Sequence, residues 1–253
     1  MKLKKHIPNA LTCANLLCGC YACILALDGH PAGAMVAIFA AAGFDFVDGL
    51  AARLLKACSP IGKDLDSLAD MVSFGVAPGM MLFDFLDRTQ QAADWAYPVC
   101  GKLFLSAAFA IPVFSALRLA RFNNDARQHT SFIGLPVPAH AIFWASLLCL
   151  VTPSASSALL PGWFDTDLSA CVGRMPPVAV LSVAGVLAVG SSWLLVSNLP
   201  MFSLKFKSPG WKNSRLQYTF LLAALGLVMC FGMGGITASI LLYLLLSIFN
   251  SRN

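Results

Sequence analysis

No glutamate occurs anywhere in the 253 residues, and charge of either sign is scarce. Charged side chains make up 11% of the chain and apolar ones 58%, with a mean hydropathy of +0.75. Soluble domains average about 25% charged and 45–50% apolar residues, so this composition excludes a soluble globular enzyme. A paired-cysteine framework is excluded too. The nine cysteines are an odd number, and Cys13, Cys18, Cys20, Cys23, Cys149 and Cys230 lie inside apolar runs without metal-ligand spacing. They read as reduced thiols packed as small hydrophobes. The net charge of +5 raises nucleic acid as a partner, but topology explains it better, and no nucleic-acid partner is expected.

Long apolar runs stand where a soluble chain would carry charge. About 17–25 apolar residues suffice for a membrane-spanning helix. Eight stretches fit, near residues 9–27, 32–54, 65–86, 98–120, 136–153, 177–198, 217–233 and 235–250. Only Gly232, Gly234 and Gly235 separate the last two, as a tight turn or as a break in one long helix, so seven spans is the alternative. Of 17 Lys and Arg, 14 fall on one side: Lys2, Lys4, Lys5, Arg53, Lys56, Lys63, Arg118, Arg121, Arg127, Lys205, Lys207, Lys212, Arg215 and Arg252. Arg88, Arg174 and Lys102 remain for the other. Cytoplasmic loops carry such an excess, which puts both termini in the cytoplasm and favours the even number. The first 27 residues have the basic start of a secretory signal, but no small-residue cleavage site closes the run. An uncleaved first helix is expected. Residues 1–253 thus read as a single all-α integral domain of the cytoplasmic (inner) membrane, with its longest loops near 154–176 and 199–216.

The acids are concentrated. Five of the twelve aspartates, Asp45, Asp48, Asp64, Asp66 and Asp70, share one 26-residue window. A charged side chain inside a bilayer costs roughly 2.5–3.5 kcal/mol on insertion scales and persists mainly where it pairs or does chemistry. Asp64 or Asp66 could merely complement a helix N-terminus, but that does not account for Asp45, Asp48 and Asp70. Asp45 and Asp48 are three apart, and Asp66 and Asp70 four apart, so each pair shares a helix face. The short basic connection 54–63 makes their helices antiparallel neighbours. Carboxylates converging there need cations, and hard oxygen ligands suit Mg²⁺ or Mn²⁺, which also bind phosphates. Gly49 costs about 1 kcal/mol inside a helix, which a close approach of ligand or helix would explain. Arg53 is placed to reach a phosphate at the cytoplasmic edge.

The run Asp45-x-x-Asp48-Gly49-x-x-Ala52-Arg53-x8-Gly62-x3-Asp66-x3-Asp70, within the helices of residues 32–86, resembles the full signature of the CDP-alcohol phosphatidyltransferases. The resemblance implies six core membrane helices around a polar cavity facing the cytoplasm. It also implies divalent metal, and displacement of CMP from a CDP-linked lipid or alcohol. Asp45, Asp48 and Asp66 would carry most of the metal ligation, and Asp70 would ligate or act as general base. Gly49, Ala52, Arg53 and Gly62, joined by Asn9 and Thr12 and by Asp45 and Asp66, would contact the nucleotide and pyrophosphate. The blocks SFGVAP (73–78), RLARFN (118–123), FxGLPxP (132–138) and PNALTxxN (8–15) are similar to those of the bacterial and archaeal phosphatidylserine synthases within this family. Phosphatidylglycerophosphate synthases tend to carry arginine at the position of Asn15. The implied substrates are CDP-diacylglycerol and L-serine, in contact with membrane lipids, and the implied assembly is a homodimer. Glycerol 3-phosphate or inositol phosphate is the alternative acceptor.

Arg118 and Arg121, three apart on one face, could hold the serine carboxylate or simply anchor the span at the headgroups. His140 reads as a hydrogen-bonded structural residue. The Ser73-Phe-Gly75 step with Pro78 either loosens the helix beside the acceptor or, at Gly75, serves helix packing alone. Two readings compete with the transferase. Intramembrane prenyltransferases hold their acidic motifs far apart in the chain, and a cation transporter would not require Gly49, Arg53 and Gly62 at fixed spacing.

Overall fold

Prolines open the helices. A proline at the first helical position loses no hydrogen bond and arrives with helical φ, and Pro31, Pro60, Pro98 and Pro177 each begin one. The computed structural model describes residues 6–57, 59–92, 98–124, 132–152, 168–201 and 215–250. Lys2, Lys4, Lys5, Arg127, Lys205, Lys207, Lys212, Arg252 and most of the two long loops lie outside them. In order come α1 (His6–Leu27), α2 (Pro31–Leu54), α3 (Pro60–Asp70), a π-helical turn (Met71–Val76), α4 (Ala77–Ala92), α5 (Pro98–Ser106), a 3₁₀ turn (Ala107–Phe109) and α6 (Ala110–Asn124). Then follow β1 (Phe132–Ile133), α7 (Val137–Val151), the short α8 (Ser169–Val172), α9 (Pro177–Val196), β2 (Pro200–Met201), α10 (Arg215–Phe231) and α11 (Met233–Asn250).

The expected all-α membrane architecture is present. Among the described residues, five continuous helical stretches are long and apolar enough to cross a bilayer: His6–Leu27, Pro31–Leu54, Pro60–Ala92, Lys102–Asn124 and Pro177–Val196. Helices α7, α10 and α11 are apolar but shorter. Whether the last two form one helix or two is decided at Gly232, whose φ of +52° reverses the chain. The two then lie side by side, with the Phe220 and Tyr243 rings 5.8 Å apart and the Ser239 hydroxyl 3.5 Å from the Ala224 carbonyl.

Helix α1 buries Pro8, Thr12, Asn15, Gly19, Ala22 and Ala26, a stripe spaced alternately four and three apart. Small residues at that spacing let membrane helices approach closely, and at Gly19 an added Cβ would come 2.3 Å from Ser73 Oγ. The same stripe carries Thr12 and Asn15 toward one end of the bundle. There the two-residue antiparallel pair β1–β2 is a small exception to the all-helical pattern. Next to it, the Gly134 and Leu135 amides donate to the Leu199 and Leu194 carbonyls at 2.9 and 3.2 Å. Gly134 has φ +77°, and a Cβ would sit 2.5 Å from the Leu195 carbonyl oxygen. The FxGLPxP block therefore caps α9.

Candidate active site

Helix α2 presents Asp45 and Asp48 one turn apart, and α3 brings Asp66 against them. Carboxylate oxygens of these three all lie within 4.8 Å of one another. The start of α3 is fixed locally: Ser59 Oγ accepts the Gly62 amide at 3.0 Å, and Pro60 follows it. At Gly62 a Cβ would come 3.0 Å from Ser59 Oγ and 3.2 Å from Asn9 Oδ1, so α1 and α3 can approach here only without a side chain. From α1, the Thr12 hydroxyl donates to Asp48 Oδ2 at 2.5 Å. Asn15 Nδ2 donates to Asp70 Oδ1 at 3.1 Å, and the Ser73 hydroxyl donates to the Asn15 carbonyl at 3.0 Å.

A cavity of about 320 Å³ opens beside the carboxylates, bordered by Asn9, Thr12, Asp48, Gly49, Ala52, Arg53, Gly62 and Asp66, together with Pro8, Ala57, Ser59 and Lys63. Six residues of the signature thus share one wall with Asn9 and Thr12 of the first helix. Asp45 and Asp70 are not part of its lining. Nothing lies within 4 Å of a Cβ built on Gly49, so no helix packs there and the missing side chain leaves open space at the cavity. A larger cavity of about 480 Å³ near the other end of the bundle is bordered by Pro31, Arg88, Thr152 and Pro177. Its one aspartate, Asp84, is held by Arg88 at 2.7 Å. The carboxylate chemistry belongs to the smaller cavity.

The two arginines of α6 separate. Arg118 is buried at 8% exposure, its guanidinium 5.5 Å from the Phe122 ring centroid and within electrostatic reach of Asp70. Arg121 is exposed, and its Nη1 donates to the Val196 carbonyl at 2.8 Å. His140 is fully buried, with Trp144 Nε1 at 3.1 Å and Ser191 Oγ at 3.0 Å from its Nε2, an arrangement that joins α7 to α9. Beside Asp70, residues 71–76 form the π turn, a feature that recurs at functional sites. Gly75 there approaches α6, a Cβ falling 3.2 Å from Ser115 Cβ. Sequence reasoning missed the contact of Asn15 with Asp70 and of Gly19 with Ser73. The four-three spacing of small and polar residues in α1 was the available signal. It also missed Lys63 Nζ donating to the Asn123 carbonyl at 3.1 Å, and Asn123 Nδ2 to Ser67 Oγ at 2.8 Å, which bind α3 to α6.

The donor set fits a divalent cation. Among the described residues three carboxylates are gathered with no ion pair to a basic side chain, and Asp66 Oδ1 is buried without a hydrogen-bond partner, a costly state unless another ligand satisfies it. Hard carboxylate oxygens select Mg²⁺ or Mn²⁺ over softer metals.

Fold and site together define a polytopic membrane protein with a carboxylate-lined polar cavity at one end. The family model for CDP-alcohol phosphatidyltransferase matches residues 5–248, and the chain belongs to that family. It is 35% identical over 202 residues to the CDP-diacylglycerol–serine O-phosphatidyltransferase of Mycobacterium tuberculosis H37Rv, covering 77% of this chain and 60% of that protein. The enzyme of the same name from Bacillus subtilis 168 is 37% identical over 133 residues, 53% of this chain and 70% of the relative. The archaetidylserine synthase of Methanothermobacter thermautotrophicus is 30% identical over 182 residues, 71% and 68%. The chain thus spans about 60% of the length of the mycobacterial relative.

Proposed function

We propose that this protein transfers the phosphatidyl group of CDP-diacylglycerol to the hydroxyl of L-serine, giving phosphatidylserine and CMP, at a site facing the cytoplasm. The observation that carries this reading is the convergence of Asp45, Asp48 and Asp66 beside a cavity bordered by Asn9, Thr12, Gly49, Ala52, Arg53 and Gly62, with a buried arginine near Asp70. The names of the similar proteins support it. So does the positive-inside distribution for the side.

Asp45, Asp48 and Asp66 would hold Mg²⁺ or Mn²⁺, with Asp70 beside them. Such an ion neutralises pyrophosphate charge and the charge developing on departing CMP. Arg53 binds phosphate oxygens at the cavity edge, and the open face at Gly49 admits the nucleotide. The serine hydroxyl oxygen attacks the lipid-side phosphorus and the bond from that phosphorus to the CMP oxygen breaks. Asp70 takes the hydroxyl proton. Thr12 and Asn15 hold Asp48 and Asp70 in place through the hydrogen bonds described. Arg118 binds the serine carboxylate, and substrates held in one cavity react at high effective concentration.

Purified protein given CDP-diacylglycerol with serine, glycerol 3-phosphate or inositol phosphate in turn, with lipid products read by mass spectrometry, tests the reading. Phosphatidylserine and stoichiometric CMP are expected from serine alone. Product from another alcohol would replace serine as the acceptor. Arg118→Ala should raise KM for serine about 10- to 150-fold, the worth of a charge-assisted hydrogen bond of about 1.5–3 kcal/mol, while KM for CDP-diacylglycerol changes little. Light scattering in detergent tests the expected homodimer.

A further inference from the structure

Buried polar atoms without partners gather around Asp70. Asn15 and Ser115 are fully buried and Arg118 nearly so. Among the described residues Asn15 Oδ1, Ser115 Oγ and Arg118 Nε have no hydrogen-bond partner. Burying such an atom unpaired is costly, and a charged one more so, so several on neighbouring elements point to a ligand that pairs them. Their chemistry is mixed. Asn15 Oδ1 can only accept and Arg118 Nε can only donate, while a hydroxyl such as Ser115 does either. A ligand satisfying all of them carries an ammonium and a carboxylate together.

A fourth wall comes from α11. Tyr243 is buried at 7% exposure, its ring is held by Phe220 of α10 at 5.8 Å, and its hydroxyl, hydrogen-bonded to Ser247, is also within electrostatic reach of Arg118. Arg118 in turn lies one turn beyond Ser115 on α6, whose Cβ faces the π turn at Gly75. No carboxylate among the described residues is within salt-bridge distance of Arg118.

We infer that Asn15, Ser115, Arg118 and Tyr243 form a pocket around Asp70 that reads the two charges of an α-amino acid separately. Arg118 and Tyr243 take the carboxylate, and Asn15 Oδ1, with Ser115, takes the ammonium. With the chain taken as the serine transferase proposed above, Tyr243 makes the last helix part of the acceptor site, and Asn15 both positions Asp70 and selects the substrate.

Two truncated serines separate the contacts: ethanolamine keeps the ammonium and lacks the carboxylate, and 3-hydroxypropionate is the reverse. Their inhibition constants against labelled serine, in detergent-purified protein with saturating CDP-diacylglycerol, provide the readout. Tyr243→Phe should raise KM for serine and Ki for 3-hydroxypropionate about tenfold and leave Ki for ethanolamine unchanged. Asn15→Leu should do the opposite, weakening serine and ethanolamine and sparing 3-hydroxypropionate. Asn15→Ala substitutes if the leucine variant does not accumulate. Because the comparison is between two ligands of one variant, a general loss of structure or turnover moves both alike. Equal shifts for both analogues, or none, overturn the pocket. Failure of the unsubstituted protein to use serine at all would instead overturn the function proposed above.

Discussion

Asp48 accepts a hydrogen bond from Thr12, whereas Asp66 keeps a buried oxygen with no partner among the described residues; at the residue scale the carboxylates are therefore not equivalent. Asp66→Asn keeps side-chain shape but removes one ligand charge from the trio, and turnover should fall to background at ordinary metal concentrations. In the unsubstituted protein a chelator should stop phosphatidyl transfer, and Mg²⁺ or Mn²⁺ should restore it. Metal titrations of both proteins check this, and near-normal activity in Asp66→Asn would remove Asp66 from the ligand set. Asp70 is different again, held by Asn15 and not part of the cavity lining. If its main task is to accept the serine proton, Asp70→Asn should lower kcat by about 10²–10⁴-fold with CDP-diacylglycerol binding retained. Loss of nucleotide-lipid binding by equilibrium measurement would assign it to metal ligation instead.

At the scale of helices, close contacts between elements set the geometry of the site. Gly19 lets α1 rest on Ser73 in the π turn, with a built Cβ 2.7 Å from the Ser73 Cα as well as against its hydroxyl. Backbone cannot yield as a side-chain tip does, so Gly19→Ala should destabilise by about 1–3 kcal/mol, the usual cost of overpacking. A lowered thermal midpoint in detergent measures it. Arg121 ties α6 to the carbonyl end of α9. Its bond is exposed and worth about 1 kcal/mol after solvent screening, so Arg121→Ala should lower that midpoint slightly and leave serine KM within twofold. A serine KM raised as far as in Arg118→Ala would bring Arg121 into the acceptor site. The sequence made Asp45, Asp48, Asp66 and Asp70 legible because a buried charge in an apolar run has few innocent explanations. It did not separate Arg118 from Arg121. Two arginines three apart differ only in what neighbouring helices offer them, a pocket near Asp70 in one case and a helix end in the other. Tyr243 was invisible for the same reason, since an aromatic residue in an apolar span carries no local sign of facing a site more than a hundred residues away.

Across the whole molecule, apolar length and the glycines of 232–235 made the helical hairpin at the C-terminal end legible as one of two choices, and one positive φ at Gly232 decided it. The β1–β2 pair was not legible, because two residues per strand give no periodicity. The stretch Pro60–Ala92 is 33 residues long, roughly 50 Å at helical rise, against about 30 Å of hydrocarbon. Its ends must therefore stand outside the hydrocarbon, and both are polar: the N-terminal third carries Asp66 and Asp70, and the last turns carry Asp84, Asp87 and Arg88. Under the proposed function, a lipid whose diphosphate reaches the end that carries Asp66 and Asp70 would react without leaving its leaflet, with no work of extraction and an encounter in two dimensions. Velocity should then follow the mole fraction of CDP-diacylglycerol in mixed micelles. Diluting the lipid with inert detergent at constant bulk concentration should slow the reaction, and a rate indifferent to that dilution would mean that the lipid is drawn out into water first.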